Sequence, residues 1–165
     1  MPIEVIEFKG DLYPKYQSEG FAARFAFPFA KEFCKGTGYD IGCNRLEWKL
    51  PDAIGIDPLL DPDHDAMNLP VGEVDYIFSS HCLEHLPRWD DALEYWVSRL
   101  KSGGVLFLYL PHYYQRYWRV GNNRKHIHNL KGDEIQDFLL GIGCINVMAT
   151  GADLNHSFYV IAEKV

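Results

Sequence analysis

Three groups of residues in this 165-residue chain have types and spacing that could do chemistry. The first is Gly38-Tyr39-Asp40-Ile41-Gly42-Cys43-Asn44, followed fifteen positions after Gly42 by Asp57, which closes Ala53-Ile54-Gly55-Ile56. An apolar strand that breaks into a glycine turn, with a second strand ending in a carboxylate, is how α/β sheets hold a nucleoside. The backbone approaches the ligand at the glycine, and the acid accepts from two ribose hydroxyls. A dinucleotide site needs G-x-G-x-x-G running into a helix that faces a pyrophosphate, and no glycine lies between Gly42 and Gly55. A nucleoside is specified and a pyrophosphate cradle is not. The plainer alternative for Asp57 is a loop cap before Pro58.

The second group is His81-Cys82-Leu83-Glu84-His85, where two chemistries compete. On a continuous helix H-x-x-E-H puts both histidines on one face as zinc ligands beside a glutamate base, which would make a zinc hydrolase. The pentapeptide instead follows an apolar strand directly and meets Pro87 two residues later, and the zinc arrangement also needs a third ligand. A satisfied structural pair of histidines is the third account. The last group is His112-Tyr113-Tyr114-Gln115-Arg116-Tyr117-Trp118-Arg119. Its rings and guanidinium groups could wall an acceptor that is anionic or sugar-like, or simply form a solvated loop. His126-Ile127-His128 is close by in sequence and suits a metal, a base or the surface equally.

The elements that must position these residues follow from periodicity. Ile3 to Phe8 suits a short strand or arm, with a turn over Gly10 to Pro14. Phe21, Phe25, Phe29 and Phe33 recur every fourth residue, a helical stripe with Pro28 as a kink and Gly36 and Gly38 as its stop. Between Gly42 and Asp57 there is room for only a short helix, and the proline-broken stretch after Asp57 is too short for a full one. Val74 to Ser79 is predicted as a central strand. Asp90 to Leu100 is predicted as a helix capped by Asp90 and ended by Gly103-Gly104, and Val105 to Leu110 as a buried parallel strand. Ile135, Phe138 and Leu139 mark a last helix before Gly141, and Ile145 to Ala149 with Phe158 to Ala162 a closing pair of strands.

Five motifs in order carry a resemblance: the glycine turn at Asp40 to Asn44, Asp57, Asp65-Ala66-Met67-Asn68-Leu69-Pro70, the run from Val74 through His85-Leu86, and Leu100-Lys101-Ser102-Gly103-Gly104. Together they resemble the class I S-adenosylmethionine-dependent methyltransferases, closest to the small type 11 domains. The resemblance implies an α/β, doubly wound, Rossmann-like, mostly parallel sheet with a final antiparallel strand, in one domain over residues 1–165 with residues 1–36 as its arm and aromatic helix. It implies S-adenosylmethionine as cofactor, bound by Asp40, Gly42, Cys43, Asn44, Asp57, Pro58, Asp65, Ala66, Met67, Ser80 and His81, with no resident metal. Asp57 would take the ribose, Asp65 the adenine amine with Met67 against the ring, and the start of the His81 run would lie near the methionine end. The acceptor would be a small molecule, a saccharide or lipid-linked. His112 is the first choice for a base and His81 the second, Arg116 would govern acceptor affinity, and a binding module without turnover is the alternative.

Composition narrows the classes. With 47% hydrophobic residues the chain can bury a proper core, and a formal charge of −7 with pI ≈ 5.4 opposes a partner as anionic as nucleic acid. Four cysteines without C-x-x-C pairing suit free thiols in a reducing compartment. The longest apolar run, Val105 to Leu110, is far shorter than the ~20 residues of a membrane span, and the N-terminus lacks a secretory pattern. A cytoplasmic protein is expected, its oligomeric state left open.

Overall fold

The computed structural model describes residues 3–165. It opens on an antiparallel hairpin, β1 (Val5–Phe8) and β2 (Asp11–Pro14), with Val5 opposite Pro14 and Phe8 opposite Asp11. The turn is Lys9-Gly10, both at positive φ, tighter than the predicted turn over Gly10 to Pro14. Asp11 to Pro14 extends instead because Tyr13 is drawn wholly into the interior. A single turn, α1 (Lys15–Ser18), leads to α2 (Ala23–Phe33), which runs through Pro28. The phenylalanine stripe was only part of the helix's inner face. Its fully buried seam is Ala23, Ala26 and Ala30, small enough to bring the backbone close to the sheet, while the phenylalanines flank that seam half-buried.

The main sheet comprises β3 (Gly38–Ile41), β4 (Ile54–Ile56), β5 (Val74–Ser80), β6 (Leu100–Pro111), β7 (Ile145–Ala149) and β8 (Ser157–Glu163), in the order β4-β3-β5-β6-β8-β7. The pairs β3/β4, β3/β5 and β5/β6 are parallel, and β8 is antiparallel to both its neighbours, so β8 alone runs backwards. This is the expected doubly wound sheet with one reversed strand near its end. As the spacing required, only a 3-10 turn (Leu46–Trp48) separates β3 from β4. Neither helix nor strand forms between Ile56 and Val74, so the sheet stops at β4.

Alternation along the strands feeds two cores. On one face Tyr76, Phe78, Phe107, Tyr109 and Ile161 meet α2. On the other Ile77, Leu106, Leu108, Val160 and Ala162 meet α3 (Trp89–Ser98) and α4 (Gly132–Gly141). Two local expectations change. Asp90 is not the cap of α3: it lies in the first turn, where the Arg88 guanidinium spans Asp90 and Asp91 at 2.9 and 3.2 Å. Leu100 and Gly103-Gly104 belong to β6, at an irregularity in its pairing with β5, because Leu100 is needed in the core rather than on the helix. No helix among the described residues is long and apolar enough to cross a membrane.

Candidate active site

From β3 the chain steps outward to β4 and returns to β5 on the other flank of β3, so a crevice opens at the carboxyl ends of these strands. A cavity of about 840 Å³ occupies it, within the range of small-molecule sites. Gly42, Asn44, Asp57, Ser80 and His81 form its sheet side. Gln17 and Gly20 come from the N-terminal segment, and Tyr117, Trp118, Arg124, Lys125 and His126 from the loop after β6.

Gly42 is fixed twice over. Its φ is 81°, and a Cβ there would sit 2.6 Å from the Cys82 Cβ and Sγ. Asn44 holds the left-handed turn that a second glycine would otherwise supply, with φ 64°, a conformation asparagine tolerates. Its N–H donates to Asp57 Oδ2 at 2.8 Å, and the Leu59 N–H donates to Asp57 Oδ1 at 3.0 Å. Asp57 thus joins the two turns that frame the cavity, and each oxygen keeps a lone pair for a further donor.

The wall at Gln17 and Ser80 carries unsatisfied polar atoms. Ser80 Oγ and Gln17 Oε1 are buried without a partner, a situation that marks polar groups awaiting a ligand or water. Gln17 Nε2 donates to the Asn155 carbonyl at 3.0 Å and to Ser157 Oγ at 2.9 Å. His81 stands at φ 49°, its N–H donating to the Tyr109 carbonyl and its Nε2 3.0 Å from Ser157 Oγ. Burial, with His126 and His85 nearby, holds its pKa well below the ordinary histidine value.

Several expected residues lie elsewhere. The Asp40 side chain is buried away from the cavity, where Oδ2 accepts from the Leu50 N–H at 2.6 Å and burial lifts its pKa to about 7. Cys43 turns toward Gly55, and burial pushes its thiol up to about 12. Asp65 is exposed and closes its own turn onto the Met67 N–H at 2.7 Å, Ala66 offers its carbonyl to Trp96 Nε1, and Met67 is half exposed. None of these, nor Pro58, lines the cavity. His112 packs at a tilt against the Tyr113 and Tyr114 rings outside it, because β6 carries the chain past the crevice before it turns back. Arg116 is committed to the N-terminal hairpin, through the Lys9 carbonyl at 2.8 Å and Asp11 at 3.6 Å.

The basic groups that reach the cavity are Arg124 and Lys125 instead. They sit in an aperiodic stretch with no motif to announce them. The same holds for Gln17, in a one-turn helix with no periodic signal.

The second histidine group also rearranges. Leu83–His85 is a 3-10 turn, so His81 and His85 do not share a helical face. Glu84 is 0% exposed with neither oxygen hydrogen-bonded, 3.8 Å from His85 Nε2 and 3.5 Å from His126 Nε2. Burial raises Glu84 to about 8 and lowers His126 to about 4, so without another partner the contact is between neutral groups at pH 7.

A profile of the family described as methyltransferase domain matches residues 22–148, well over half of the chain. A search of curated protein sequences returns no significant match. Among solved structures, an S-adenosylmethionine-dependent methyltransferase from Archaeoglobus fulgidus superposes with TM-score 0.64 and 18% identity, over 90% of this chain and 94% of that one. One from Aquifex aeolicus gives 0.63 and 16%, over 92% and 97%. A possible histamine N-methyltransferase from Thermotoga maritima gives 0.66 and 15%, over 91% and 92%. At such identities the likeness is one of fold: the chain belongs to the methyltransferase-domain family, and its fold is that of the S-adenosylmethionine-dependent methyltransferases it resembles.

Proposed function

We propose that this domain methylates a small-molecule, saccharide or lipid-linked acceptor carrying an anionic group, bound between the Tyr117-Trp118 rings and the Arg124-Lys125 charges. The observation that carries the reading is one cavity with a nucleoside-type wall (Gly42, Asn44, Asp57) on one side and an aromatic and basic wall on the other. The residues fit the cofactor. Asp57 has lone pairs free for two ribose hydroxyls, and the orphaned Ser80 Oγ and Gln17 Oε1 suit the amino-acid end. When bound, the cofactor supplies a methyl on a positive sulfur, and the protein's task is to hold a nucleophile in line with it.

Of the two histidines expected to act as base, His81 alone lines the cavity; burial lowers its pKa and its Nε2 is engaged with Ser157 Oγ, which weakens it as a base and leaves positioning of the nucleophile as the protein's main contribution. Four free cysteines support a cytoplasmic setting.

S-adenosylhomocysteine at about a hundred times its Kd should add about 2.7 kcal/mol of stability, a melting shift of about 5–10 °C for a domain of this size. NAD should add nothing measurable. A shift with NAD and none with the adenosyl ligand would overturn the cofactor assignment. Once an acceptor is identified, Arg124→Ala or Lys125→Ala should raise KM on the order of tenfold, the value of one charge-assisted hydrogen bond. His112→Ala should leave kcat unchanged. The reverse pattern would move the acceptor to the His112 side of β6.

A further inference from the structure

We propose that Glu84, His85 and His126 form a binding site for a first-row divalent transition ion, with its open position facing the cavity. One ligand atom from each of the three residues can be chosen so that all lie within 4.8 Å of one another. The Glu84 oxygen nearest the histidines is 3.5 Å from His126 Nε2 and 3.8 Å from His85 Nε2. Bonds of about 2.0–2.1 Å around a tetrahedral ion place neighbouring ligands about 3.3 Å apart, so these separations need only small side-chain rotations.

Two independent features point to an ion rather than to a chance cluster. The first is Glu84, a completely buried carboxyl with neither oxygen hydrogen-bonded. Leaving such a group unpaired is costly, and a cation removes the cost. The second is His85, whose Nδ1 is 2.8 Å from the Lys125 carbonyl oxygen. That contact fixes the proton on Nδ1 and turns the lone pair of Nε2 toward Glu84, the arrangement by which outer partners orient metal-binding histidines.

The backbone builds the site from both sides. The Ile127 and His128 N–H groups donate to the Glu84 carbonyl at 3.1 and 3.3 Å, pinning the loop that carries His126 against the 3-10 turn that carries Glu84 and His85. His85 and His126 line the cavity while Glu84 lies behind them, so coordination is closed at the back and open at the front. A histidine pair with one carboxylate suits zinc and its neighbours.

The consequence rests on the methyl-transfer reading. An acceptor hydroxyl bound at the open position would lose its proton to water more readily. Its oxygen would then form the bond to the methyl carbon while the sulfur–carbon pair stays on sulfur.

The test uses the whole chain, stripped of metal, with no cofactor present. Calorimetric titration with Zn²⁺, and with Co²⁺ followed by visible absorption, should show one ion per chain and a low-symmetry cobalt spectrum. His126→Ala and Glu84→Gln should each weaken binding at least tenfold. His81→Ala, outside the cluster, should bind as the parent does. Circular dichroism and melting identify any variant that fails to fold, and in that event His85→Gln, at a less buried position, takes its place. Absent one-to-one binding, binding indifferent to His126→Ala and Glu84→Gln, or binding lost equally in His81→Ala would overturn the proposal. Because no cofactor takes part, S-adenosylhomocysteine binding measured separately keeps failure of the metal site distinct from failure of the methyltransferase reading.

Discussion

An Asp57→Ala chain should bind S-adenosylhomocysteine at least about a hundredfold more weakly than the parent. Two ribose hydroxyls donating to a carboxylate are each worth about 1.5–3 kcal/mol, and each 1.4 kcal/mol is a factor of ten in Kd. The same substitution strips the Asn44 and Leu59 N–H groups of their acceptor. A melting decrease of a few degrees should therefore accompany the affinity loss. Asp57→Asn separates the two effects, because its one carbonyl oxygen can serve one N–H while the charge is gone. Isothermal titration of the three proteins decides it. An unchanged Kd in Asp57→Ala would leave Asp57 as the brace between two turns and place the ribose contact on another residue.

The largest effect expected on stability comes from Asp40, 1% exposed and raised by burial to about 7 from an ordinary value near 3.8. The folded state therefore holds this proton more tightly than the unfolded chain does. Below the unfolded value both states are protonated and nothing is lost. As pH climbs from about 4 to about 7 the unfolded chain ionises first, and stability declines by 1.36 kcal/mol per unit, about 4 kcal/mol in all. Asp40→Asn keeps an oxygen for the Leu50 N–H and cannot ionise. Urea unfolding of parent and variant at pH 4, 5.5 and 8 should show the variant gaining on the parent by that amount across the window, other groups cancelling in the difference. Parallel curves would mean that Asp40 ionises in the folded state as readily as in the open chain.

Asp40 also shows where the residue pattern stops being informative. Its position in the glycine turn was legible, but whether its side chain faced the cavity or the protein interior depended on what β4 and the 44–50 loop brought to it. The core strands were legible because parallel strands buried on both faces read as short continuous apolar runs. Gly42 and Asp57 were legible as cavity residues because close backbone approach demands glycine and because an acid that follows β4 must stand at the carboxyl edge of the sheet. Arg124 and Lys125 were not, since a loop with no period carries no information about which of its charges will point inward. The H-x-x-E-H spelling misled in an instructive way. Glu84 and His85 do come together with a third ligand-type residue, but that residue is His126, brought by a loop some forty positions on, while the first histidine of the motif serves Ser157. A helical spacing rule cannot see a cluster assembled across a 3-10 turn.

Gln17 reaches Ser157 across 140 residues of sequence, and the Tyr13 hydroxyl accepts from the Arg116 and Tyr117 N–H groups across more than a hundred. These contacts draw the first and last parts of the described chain over the same crevice, whereas β3, β5 and β6 pair within the middle of it. Loop-closure entropy delays contacts of such long range. The assembly of Gln17, His81 and Ser157 waits on β8, the one reversed strand, whose Val160, Ile161 and Ala162 also complete both cores, so the finished core and a walled crevice depend on the same strand.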